Sequence, residues 1–238
     1  MRKLVSFVAM LLLGAACTGP ARALEPFVAN YQVLRGGEPL GEATMQVARE
    51  GENRWRVDLG MRGTTGLFGL AGVNAQQSTS FEVVGEAYRP LTQTTVRKAV
   101  FMGRKIEGVY DWSSRTARWS GDVKKTRRAP VPLQDGDMSG LLINLAIVRD
   151  AQPGKQLRYR FVDNGRARDH HYTVAPELEG VVVDGMGFNA MRVSRMQGGA
   201  EETVVWVVDG VPTPVRILQR DDGKDTFDLR LVDYKGAP

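Results

Sequence analysis

Few residues in this 238-residue chain have types and spacings that could do chemistry. Two histidines stand side by side, His170 and His171. Imidazoles act as zinc ligands or general bases when they converge, but neighbours on a strand project to opposite faces, so these two cannot share a metal there. The pair reads as a core-edge His170, facing with Arg168, Tyr172 and Val174, and a surface His171, facing with Asp169 and Thr173. Gly185-Met186-Gly187-Phe188-Asn189-Ala190 has the spacing of a dinucleotide-binding turn, which needs a following helix to offer its N–H groups to a pyrophosphate. Met191 and Val193 alternate with Arg192 and Ser194 instead, so a hairpin turn between strands is expected. Gly136-Asp137-Met138-Ser139-Gly140 approaches a nucleophile elbow but places the serine one position late. Asp135 and Asp137 flank an expected helix start, where carboxylates cap bare N–H groups and complement the dipole. These residues point to a protein with no enzyme active site, no metal and no cofactor.

The elements that would hold such residues begin after a leader. Arg2 and Lys3 form a positive n-region, Leu4 to Ala16 is a short apolar run, and Ala21-Arg22-Ala23 is a small-x-small cleavage pattern. The expectation is export to the periplasm with cleavage after Ala23, leaving Leu24 first. The alternative is lipidation of Cys17, but Gly14 stands where a lipoprotein box wants a Leu-like residue. No later segment approaches the roughly 18 apolar residues of a spanning helix. The leader carries Arg2, Lys3 and Arg22 and no acid, so removing these three charges lowers the net charge from +5 to +2. A chain so nearly balanced carries no electrostatic footprint for nucleic acid. Cys17 is the sole cysteine, so the exported chain has no disulfide and must be stabilised by core burial in a single domain spanning 24–238.

Period-two alternation dominates that domain. Trp55, Val57, Leu59 and Met61 oppose Arg56, Asp58 and Arg62; Leu157, Tyr159 and Phe161 oppose Arg158 and Arg160; Phe227, Leu229 and Leu231 oppose Asp228 and Arg230. Turn chemistry at Gly36-Gly37, Glu50 to Asn53, Asn164-Gly165 and Asp222-Gly223 separates the runs. About a dozen strands are expected, in a strongly curved antiparallel sheet closing as a barrel or half-barrel. Val204 to Val208 is apolar on both faces and belongs at a covered, central position. Asp137 to Arg149 is the convincing helix, a candidate cover with Asp137 or Ser139 as its cap and an apolar arc too wide for a surface helix.

A curved sheet with one covered face suggests an apolar or amphipathic, lipid-like ligand, and Trp55, Phe68, Leu70, Trp112 and Trp206 are the candidates to line its site. Phe68 and Leu70 lie in the Gly-rich loop 63–72, which either folds back to plug the end of the sheet or offers an apolar contact. The alternative function is a structural envelope module with a filled core, meeting a protein partner through its surface. The basic stretch from Arg97 to Arg128 reads as the wet face of strands, with contact to anionic headgroups as its functional alternative.

An early Tyr31 strand followed by Gly37 and Leu40-Gly41, a helix opening Asp137-Met138-Ser139, and Val205-Trp206-Val207 leading to Pro214-Val215-Arg216 together carry a likeness to a family. On these residues the chain resembles the bacterial domain of unknown function 3108. It departs from the usual aliphatic or aromatic helix ending, which reads Ile147-Val148-Arg149 here. The resemblance implies an exported, envelope-associated β protein and no established activity. In architecture alone the chain is similar to periplasmic carriers that shield lipid chains inside a curved sheet, a weak warrant for function.

Overall fold

A computed structural model describes residues 24–66, 69, 72–99, 102–183, 185–195 and 201–236. The leader, Cys17, Phe68 and Leu70 lie outside the described residues, and with them the expectations about cleavage, lipidation and the tip of the 63–72 loop.

Alternating apolar and polar side chains do form strands throughout. Before the helix come β1 (Phe27–Arg35), β2 (Glu38–Arg49), β3 (Arg54–Gly63), β4 (Asn74–Val84), β5 (Ala87–Ala99), β6 (Met102–Asp111), β7 (Thr116–Gly121), β8 (Val131–Pro132) and β9 (Asp137–Met138). After helix α1 (Gly140–Asp150) come β10 (Gln156–Asp163), β11 (Arg166–Val183), β12 (Met186–Arg195), β13 (Glu201–Val207), β14 (Arg216–Asp221) and β15 (Lys224–Gly236). Two-residue turns set several registers. Asn164 and Gly165 have φ of 48° and 70°, and Asp222 and Gly223 have 49° and 72°, the left-handed pair that matches the twist of a hairpin. Gly185 turns the chain between β11 and β12, so the glycine motif there is a hairpin.

All fifteen strands among the described residues belong to one sheet, ordered β8-β7-β6-β5-β4-β3-β2-β1-β15-β14-β13-β12-β11-β10-β9. Two meanders are thus joined where the first strand pairs with the last. Pairing is antiparallel except for β9 with β10, whose parallel alignment needs the crossover that α1 supplies.

Two expectations are corrected here. The sheet has fifteen strands rather than about a dozen, because β8 and β9 are two residues long and have no readable period. Of the barrel and half-barrel expected, the closed hydrogen-bonded form does not occur, since β8 and β9 are the sheet's two edges. The edges overlap face to face. Tyr159 on β10 belongs to the main core with α1, while Val162, on the strand's other face, belongs to a second core with Tyr110, Ala117, Trp119, Val123, Val131 and Leu133. Side chains fasten this seam. Arg160 Nη1 lies 2.7 and 2.6 Å from the two Asp137 carboxylate oxygens, and its guanidinium also reaches the Pro132 carbonyl. The Tyr110 hydroxyl lies 2.7 Å from the Val162 carbonyl oxygen.

The helix is also corrected, starting three residues later than expected. Asp137 sits in β9 on Arg160, whereas Ser139 is the N-cap, accepting from the Leu142 N–H and meeting Thr79 Oγ1 at 3.0 Å. Leu141, Leu142, Ile143, Leu145, Ala146 and Ile147 are all buried, so α1 lies within the sheet's curve as a core element rather than as a lid on one side.

Candidate functional site

The inner face of the sheet is the one that packs α1, and the helix covers part of it. At its C-terminal end Arg149 Nη1 donates to the Glu86 carbonyl and its guanidinium lies 4.7 Å over the Tyr88 ring, near the β4–β5 turn. At its N-terminal end Ser139 meets Thr79, midway along β4. The inner face continues two registers beyond that point. The first places Leu59, Gln77, Thr95 and Ile106 side by side; the second places Met61, Ala75, Arg97 and Arg104. Leu59 is buried, Met61 and Ala75 are half-buried, Ile106 packs on the second core, and the two arginines are exposed at the rim.

The opposite wall of this end is built by β10, β11 and β12. Phe161 pairs with Arg168, Tyr159 with His170, and Tyr172 with Arg195, all on the inner face. Phe161 stands against the first residue of α1, since a side chain on Gly140 would meet its ring. Its ring centroid is 4.8 Å from that of His170. His170 is 6% exposed and its Nε2 has no hydrogen-bond partner, and the Nε of Arg195 has none either. Burial, then the charges of Arg195 and Arg168, push His170 down to about 4, so the imidazole is neutral. Burial raises Tyr172 to about 12. This end of the inner face therefore joins half-buried apolar side chains to Arg97, Arg104, Arg168 and Arg195, and the positive end of the α1 dipole faces the same way.

The three tryptophan candidates among the described residues occupy different surroundings. Trp55 is buried in the main core, with Arg49 5.6 Å over its ring. Trp112 packs on the second core, its indole N–H donating to the Pro90 carbonyl at 2.7 Å. Trp206 lies on the outer face, where its N–H donates to Glu179 at 2.8 Å and Arg216 lies 4.8 Å over the ring. Arg97 and Arg104 belong to the basic stretch read from the sequence as a wet face with anionic headgroups as its alternative, whereas Arg168 and Arg195 escaped as partners to them because that placement depends on register across several strands. One signal was present: Arg195 falls in phase with the apolar Met191 and Val193 and so must point inward.

His170 is buried and His171 exposed, as their alternation implied. His171 lines an outer depression of about 210 Å³ with Arg158 and Tyr172. A broader outer depression, about 680 Å³, crosses β2 to β5 over Gly60, with Thr44, Gln76, Val96, Arg62 and Lys98 around it. Its Arg62 is already paired with Glu42 at 3.1 Å. Among the described residues no group of three or more His, Cys, Asp or Glu is placed to hold a metal ion. No described helix is long and apolar enough to cross a membrane.

The family model described as protein of unknown function (DUF3108) matches residues 29–230. No curated protein matches the sequence significantly. Among solved structures, the chain is similar to a beta-barrel-like protein of domain of unknown function DUF1849 from Brucella abortus. The two share 11% identity at a TM-score of 0.57, over 90% of this chain and 99% of that one. A DUF1089 family protein from Pseudomonas aeruginosa also has 11% identity, with a TM-score of 0.37, over 73% of this chain and 87% of its own. The first likeness speaks for the fold alone, and the second carries no argument.

Proposed function

Because the chain belongs to the DUF3108 family of proteins of unknown function, we propose that it is an exported, non-catalytic envelope protein that binds a lipid-like, amphipathic ligand at the open end of its inner sheet face. The observation that carries this reading is the extent of that face. It runs two registers past the start of α1, and those registers combine half-buried Met61 and Ala75 with a basic rim. Apolar surface beside a few convergent polar groups is the usual composition of a small-molecule site. Arginines at the rim suit a ligand with an apolar chain and a polar end.

A titration of the purified chain with a fluorescent fatty-acid analogue tests the reading. Saturable one-to-one binding is expected. Ala75→Trp, which adds bulk to the inner face beyond the helix, should weaken it at least tenfold with little change in melting temperature. A parent that does not bind, or a variant that binds equally well, sinks the proposal.

A second reading, a module with a filled core that meets a protein partner through its surface, is favoured by the burial of six of the eleven residues of α1. It predicts no uptake of the analogue by either protein.

A further inference from the structure

Arg195 and His170 are inner-face neighbours on adjacent strands, and each buries a side-chain nitrogen without a partner, Arg195 Nε and His170 Nε2. An orphaned buried polar nitrogen forfeits its hydration with nothing in return, so native proteins rarely keep one. Two within one cluster mark a place arranged for an acceptor. Nearby groups do not fill that role. Glu201 reaches Arg195 Nη2 at 3.7 Å, but its side chain is 80% exposed and it leaves Nε unmet. The Tyr172 hydroxyl lies 3.5 Å from His170 Nδ1, a long contact on the other ring nitrogen. Tyr159 is turned to Asp150, to which it donates at 3.0 Å. Phe161 gives the cluster an apolar wall, and Arg168 stands in register with Phe161 at the rim.

We propose that Arg195 and His170, with Arg168 at the rim, form a site for an oxyanion, a carboxylate or phosphate, that is the polar end of the amphipathic ligand. This rests on the reading of the open end as an amphipath site. Arg195 supplies the fixed positive charge and a directed Nε–H donor, and a guanidinium is suited to planar or tetrahedral oxyanions. His170 supplies a second donor from Nε2. An oxyanion beside it opposes the effect of the two arginines and favours protonation, so the imidazole strengthens its hold as the ligand arrives.

The experiment compares dodecyl phosphate, dodecyl maltoside and inorganic phosphate, each below any micelle-forming concentration. Calorimetry gives affinity, and imidazole NMR of His170 gives its titration. Dodecyl phosphate is expected to bind at least tenfold more tightly than the maltoside and to move the His170 titration up from about 4 toward its ordinary value. Arg195→Gln should erase that preference, leaving both amphipaths equal. If that variant does not fold, the parent's His170 response to the two amphipaths decides alone. Equal binding of both amphipaths with a silent His170 overturns the oxyanion site and leaves the amphipath reading standing. Inorganic phosphate binding as tightly as dodecyl phosphate keeps the oxyanion site but makes a free anion its ligand, which overturns the headgroup assignment. Failure of all three ligands to bind overturns both.

Discussion

At the scale of single residues, the charges set inside the seam are held by different means. Asp137 is wholly buried against Arg160, and removing one partner of such a pair strands the other, at a cost of about 3–5 kcal/mol. Asp163, a few residues along β10, accepts from Gln93 Nε2 at 2.8 Å rather than from a guanidinium. Burial raises its carboxyl above the ordinary range, outweighing the opposing Gln93 hydrogen bond. A carboxyl whose folded-state pKa lies above its unfolded value is destabilising when ionised. Its contribution is therefore most favourable below the unfolded value, about 3.9, and is lost as pH rises through the raised one. Asp163→Asn keeps an acceptor for Gln93 and should raise the melting temperature at pH 7, with the gain shrinking toward zero below about pH 3.9. Melts of both proteins across pH check this, and an equal or lower melting temperature for the variant at pH 7 would contradict it. The sequence announced the inward His170 and outward His171, because strand alternation fixes both at once. It did not announce the role of Asp137, which satisfies the same local rules for a helix cap as Ser139 does. Only the approach of Arg160, 23 residues later, separates the two.

At the scale of elements, hairpins were the most legible features, since Asn164-Gly165 and Asp222-Gly223 encode their left-handed backbone in two residues. The helix was legible from its wide apolar arc, and the burial of six of its residues accounts for that width, with half-buried Asn144 and Val148 on its more open side. Leu145 is 3% exposed within the main core. Leu145→Asp places an unpaired carboxylate there, at a cost of several kcal/mol. The expected outcome is loss of folded protein by circular dichroism. A variant that melts like its parent would show that α1 does not pack as described. The short edge strands were not legible, and neither was the second core. A phase error in the alternation did hint at it: Val162 follows Phe161 although the pattern had made even positions polar. Val123, Val131 and Leu133 were similarly hidden beside a stretch read as a wet, basic face.

At the scale of the whole molecule, the chain solves the exposed-edge problem by overlap. Rolling β6 to β8 over the outer face of β10 hides the sheet edges without a closing row of backbone hydrogen bonds. The same curvature leaves the inner face longer than the helix that packs on it. The mainly β fold class was readable from patterning, because one apolar face per strand admits few architectures, whereas the family came only through a likeness at motifs such as Asp137-Met138-Ser139 and Val205-Trp206-Val207. The proposed site was not readable, since Arg97 and Arg104 on one hairpin reach the same face of the sheet as Arg168 and Arg195 only through the accumulated register. Native mass spectrometry of the chain exported by its own leader and purified from the periplasm without detergent tests the central claim most directly. The account predicts a polypeptide beginning at Leu24 that carries one amphipath, released when the Ala75→Trp change is made. A bare polypeptide, or one acylated at Cys17 with nothing bound at the sheet, would contradict it.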